Sequence, residues 1–90
     1  MADSTQETLL EFPCEFPIKA MGLSINNFDA LVVEIVRKHV SELSEAAVNS
    51  RQSSGGKYTS VTVLIEATSK AQLDAIYQEL SSHQLVKYVL

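Results

Sequence analysis

A chain of 90 residues with a formal net charge of −4 and 46% hydrophobic residues is sized for one domain around one core. The charge is unevenly placed, because Asp3, Glu7, Glu11 and Glu15 precede every Lys and Arg, leaving seven acids against seven bases from Phe16 onward. A neutral body behind an acidic leader has no general attraction for phosphate backbones or anionic lipid, so neither nucleic acid nor a membrane is an expected partner.

Residues 1–15 read as an acidic lead-in, polar as far as Thr8 and expected to be partly mobile. The start lacks the basic and long apolar regions of a secretory signal, and the lone Cys14 has no internal disulfide partner, which together suggest a reducing cytoplasm. No run approaches the roughly 18 apolar residues that a membrane-spanning helix needs. Leu9, Leu10, Phe12 and Phe16 are large apolar groups, and Pro13 and Pro17 hold the backbone extended at Phe12 and Phe16. This stretch is expected to run across the domain and plug an open end of its core.

From Phe16 to Met21 the residues Phe16, Ile18 and Ala20 alternate with Pro17, Lys19 and Met21, the period of a strand with unequal faces. Pro17 suits only the first residue of such a strand. Gly22 ends it, and Asn26 or Asn27 offers a side-chain oxygen to the free N–H groups of a helix start. Phe28, Leu31, Val32, Ile35, Val36 and Val40 then recur at helical spacing, opposite Glu34, Arg37 and Lys38.

Residues 46–52 are polar and β-tolerant, as expected of an edge strand. Ser53-Ser54-Gly55-Gly56-Lys57 is a glycine-rich turn, and from Tyr58 to Ala67 the residues Val61, Val63, Ile65 and Ala67 alternate with Ser60, Thr62, Leu64 and Glu66. Ser69 and Gln72 fit a capping box ahead of a helix with Leu73, Ile76, Tyr77 and Leu80 inward, ending near Ser82 or His83. The last strand, residues 85–90, is expected to place Val86, Tyr88 and Leu90 on one side.

Two helices with single apolar stripes share one face of a sheet and leave the other to water. The order βαββαβ therefore predicts an α+β ferredoxin-like sandwich over residues 16–90, with four antiparallel strands in the order 4-1-3-2. The last strand is an edge guarded only by Lys87, so the chain is expected to be a monomer or a homodimer joined through that edge.

Several segments resemble one known family: Leu9-Leu10-Glu11-Phe12-Pro13, Lys19-Ala20-Met21-Gly22, Ser53-Ser54-Gly55-Gly56-Lys57-Tyr58 with Ser60-Val61, and the closing Val89-Leu90. Together they resemble the YbeD-like proteins of bacteria, small proteins of unassigned function. The resemblance implies the ferredoxin-like fold and a likeness to ACT-type domains, which bind amino acids and regulate metabolic enzymes. A regulatory or adaptor role follows from it. ACT-like ligands lie near the loop after the first strand, here Gly22 to Asn27, and the family's genomic context suggests lipoate metabolism.

No residue set reads as an active site, so the chain is not expected to be an enzyme, to hold a cofactor or to bind a metal; an enzyme of undetected type is the alternative, and titratable groups clustered in one pocket would mark it. Gly55-Gly56-Lys57 fails a Walker A pattern, which needs glycine at Arg51 and Ser or Thr at Tyr58. The tip residues Arg51, Gly55, Gly56, Lys57 and Tyr58 remain candidates for holding an anion or an acidic partner. His39 and His83 lack further ligands nearby in sequence and are expected to cap the ends of the two helices. On the open face of the two central strands stand Lys19, Met21, Thr62 and Leu64, none aromatic, which argues against RNA. Met21 and Leu64, with Leu85 and Val89, are candidates for an apolar patch flanked by Lys19, Thr62, Glu66 and Lys87. That patch receives a protein partner or a small metabolite, or else the leader covers it.

Overall fold

The computed structural model describes residues 11–25 and 27–90. The leader before Glu11, and Asn26 as a helix cap, lie outside the described residues. Strand β1 runs Cys14–Leu23, helix α1 Phe28–Arg37, strand β2 Val48–Gln52, strand β3 Tyr58–Ala67, helix α2 Lys70–Ser82 and strand β4 Val86–Val89. A single 3-10 turn, Glu45–Ala47, leads into β2.

The strands form one antiparallel sheet in the order β2-β3-β1-β4. Period-two alternation decides which face is dry. Ile18 and Ala20 of β1, with Val61, Val63, Ile65 and Ala67 of β3, are buried against Val32, Ile35 and Val36 of α1 and Leu73, Ile76 and Leu80 of α2. Both helices therefore occupy one side, and the fold is the ferredoxin-like sandwich that the element order predicts.

Four local features differ from the sequence reading. First, β1 begins at Cys14, so Pro17 stands inside it. Lys19 exchanges both backbone hydrogen bonds with Leu90, so alternation aims the Pro17 nitrogen at the same flank, beyond the last β4 partner. Second, α1 opens without a side-chain cap, with Asn27 at φ 57°, a left-handed conformation that asparagine tolerates better than most residues. The same helix ends at Arg37, and Val40 packs on the core from the following turn.

Third, Ser69 Oγ accepts from the Gln72 N–H (3.0 Å), but the Gln72 side chain returns to the Thr68 N–H (2.8 Å), one residue earlier than a capping box. Fourth, β4 contains a bulge: Met21 pairs with Tyr88 and Gly22 with Val86, leaving Lys87 as the extra residue. The bulge breaks the expected alternation. Val86 and Val89 turn toward the core while Tyr88 and Leu90 are exposed.

Candidate interaction surface

The face of the sheet opposite the helices is built in cross-strand rows. One row reads Arg51, Ser60, Met21, Tyr88, and the next Asn49, Thr62, Lys19 and then Leu90. Beyond these, Leu64 stands opposite Pro17, and Glu66 opposite Glu15. The face is thus graded along the strands, with cations and aromatics at one end, Leu64 midway and two glutamates at the other.

Two adjacent depressions mark the cationic end. Lys19, Asn49, Ser50, Arg51, Ser60 and Thr62 line one of about 470 Å³. Met21, Tyr58, Lys87 and Tyr88 line a second of about 410 Å³. Among the described residues, neither Lys19 nor Arg51 forms an ion pair with a carboxylate, whereas Lys38 and Lys70 both do. Exposed apolar groups stand on the same face, with Leu64, Tyr88 and Leu90 at 39%, 48% and 66% exposure.

The hairpin tip borders this surface. Gly56 adopts φ 75° and its N–H donates to the Ser53 carbonyl (2.8 Å), closing the turn. Lys57 Nζ sits 5.6 Å from the centre of the Tyr58 ring, within cation–π range, and the Lys57 carbonyl accepts from the Ser24 N–H (2.9 Å). Of the residues singled out from the sequence, Lys19, Met21, Arg51, Tyr58 and Leu64 share the open face, while Gly55, Gly56 and Lys57 form its rim. Leu85 and Val89 do not belong to it, because both pack against the helix-side core.

Sequence reasoning missed Asn49 and Tyr88. Asn49 shares the parity of Arg51 and was legible from the edge-strand pattern. Tyr88 was not, since its orientation depends on the bulge. With Tyr58 and Tyr88 both on the open face, that face is not devoid of aromatic residues.

The loop after β1 presents a different surface. Ser24, Ile25, Asn27, Phe28 and Asp29, with Ser50, Gln52 and Thr59, line a hollow of about 360 Å³. The hydroxyls of Ser24 and Thr59 satisfy each other at 2.6 Å, and Asp29 brings a carboxylate to the first turn of α1. Gly22 is closed off: a Cβ there would stand 2.3 Å from the Leu85 carbonyl oxygen and 2.5 Å from the Phe28 ring.

Neither histidine acts only as a helix terminus. Glu79 of α2 takes both the Lys38 ammonium and, at 2.8 Å, His39 Nε2, so it bridges to the turn after α1. The Lys38 hydrogen bond and then that of His39 hold the Glu79 carboxyl below the usual carboxylate range, and Glu79 in turn raises Lys38. His83 Nδ1 accepts from the Leu85 N–H (3.1 Å), bracing the entry to β4. Tyr77 donates its hydroxyl to the Leu90 carbonyl (3.0 Å), and burial raises its pKa. Among the described residues no group of three or more His, Cys, Asp or Glu side chains is placed to hold a metal ion.

Residues 7–90 match the family described as "Protein of unknown function (DUF493)". The chain belongs to this family. Relatives within reach include a UPF0250 protein of Paraburkholderia phytofirmans, 49% identical over 87 residues and covering 97% of this chain and 98% of that one. A UPF0250 protein of Chromobacterium violaceum is 48% identical over 90 residues, the full length of both. DUF493 is thus a family of small bacterial proteins of unassigned function, as the resemblance read from the sequence implies. Among solved structures, the solution structure of protein HP0495 from H. pylori superposes with a TM-score of 0.68 at 15% identity, over 90% of this chain and 85% of that one. At that identity the likeness concerns the fold alone. No helix among the described residues of this DUF493 chain is long and apolar enough to cross a membrane.

Proposed function

We propose that this DUF493 chain is a non-catalytic binding module of the cytoplasm, regulatory or adaptor in role, whose open sheet face receives a protein partner. One observation carries the reading: Lys19 and Arg51, without carboxylate partners among the described residues, lie beside exposed apolar groups on a face that neither helix covers. An apolar patch rimmed by charge is the usual anatomy of a contact surface. The groups with displaced pKa values support binding over catalysis, because Lys38, Glu79 and Tyr77 belong to the helix layer and do not converge on the depressions of the open face.

Affinity capture from native lysate with two baits tests the proposal. Leu64→Asp, in the middle of the open face, is expected to lose the partner that the wild type retains, with an unchanged circular dichroism spectrum. Glu34→Lys, on the exposed side of α1, is expected to keep it. Retention of the same partner by Leu64→Asp overturns the proposal.

A further inference from the structure

Two depressions of different character stand side by side on the open face. The first is walled by Tyr58, Tyr88 and Met21, with Lys87 completing its lining. Tyrosine rings are rigid, amphipathic walls and methionine is an adaptable floor, a combination suited to enclosing one apolar side chain. The second presents Lys19 and Arg51 among the Asn49 amide and the Ser60 and Thr62 hydroxyls. A guanidinium with neighbouring hydroxyl and amide donors matches a carboxylate, which Arg engages through two parallel hydrogen bonds. The first depression lies toward β4 and the second toward β2, so their centres are about two strand spacings, roughly 10 Å, apart.

We propose, resting on the open face as the contact surface, that the partner presents a short acidic-apolar segment. Its apolar side chain enters the Tyr58–Tyr88–Met21 depression, and a carboxylate a few residues away meets Lys19 and Arg51. The far end of the face disfavours a nucleic acid strand. Glu15 and Glu66 stand directly opposite each other there, and a phosphate backbone continuing along the strands would meet them. A short segment with one or two carboxylates ends before that point.

An NMR titration of the full chain, labelled with nitrogen-15, tests the assignment. The probe is an acetylated peptide with one Phe and one Glu two residues apart among serines; the comparators replace Glu by Gln or Phe by Ala, and oligouridylate serves as the nucleic acid arm. The Phe-Glu peptide is expected to move the amides of Lys19, Met21, Arg51 and Tyr88. Each single replacement in the peptide, and Arg51→Gln in the protein, is expected to weaken binding by about fivefold or more. Equal binding of the Glu and Gln peptides, tighter binding of oligouridylate, or no movement of these amides overturns the inference. If that happens while Leu64→Asp still abolishes capture, only the acidic-apolar class is wrong; if Leu64→Asp keeps its partner, the open face itself is not the contact.

Discussion

Two of the three glycines carry a structural constraint, each of a different kind, and only that at Gly56 was legible as turn chemistry. In the sequence Gly22 reads as the end of a strand, yet it lies within β1 and is required because Leu85 and Phe28 fill the space of its missing side chain. Leu85 is remote in sequence and Phe28 belongs to the next element, so no pattern within β1 announces them. Gly22→Ala is expected to cost about 3 kcal/mol, the upper part of the usual range for overpacking, read as a lower urea midpoint at unchanged slope. At the hairpin tip, Gly56 has φ 75° whereas the space about Gly55 is open. Gly56→Ala should therefore cost about 1 kcal/mol, while Gly55→Ala should be near neutral or slightly stabilising. Equal effects at the two positions would contradict the assignment of the positive φ.

Between elements, a polar junction joins α2 to the turn after α1. Glu79 holds Lys38 and His39, and Gln72 Nε2 donates to the His39 carbonyl (2.8 Å). The carboxyl of Glu79 is depressed in the folded chain, so its contribution is complete above the ordinary carboxylate pKa and is lost as pH falls through the lowered value. For Lys38, whose pKa is raised, the contribution is present below the ordinary lysine value and lost as pH rises through the higher folded one. Glu79→Gln should accordingly lower the urea midpoint by a small amount at neutral pH, with the difference from wild type lost as pH falls through the carboxylate range. A difference that persists below that range would show that Glu79 is not the group involved. The helix stripes were legible because 3.6-residue periodicity survives wherever one face is buried. The absence of a side-chain cap at Asn27 was not, because the residue type suits an N-cap and its left-handed backbone is not written in the local pattern.

At the scale of the whole molecule, the order and hydrophobic alternation of the elements were enough to reach the sheet order and the shared side of the helices. Val61, Val63 and Ile65 read as one face of a strand, and all three are buried in the middle layer. That layer should be intolerant of cavities: Ile76 is fully buried, and Ile76→Ala is expected to remove about 2–5 kcal/mol from a total of about 5–15 kcal/mol, measured by denaturant unfolding. The candidate surface was legible only in part. Lys19, Met21, Arg51 and Leu64 follow from strand parity, but Tyr88 joins them through a bulge that the strand's own residues do not signal.

The three tyrosines divide the molecule into two testable sides, since Tyr58 and Tyr88 stand on the open face and Tyr77 on α2. Hydroxyl-radical footprinting of the free chain and of its captured complex reads all three at once. Protection of Tyr88, Tyr58 and Met21 on partner binding, with Tyr77 unchanged, is the predicted result. Protection of Tyr77 with Tyr88 still reactive would place the partner on the helices and contradict the account.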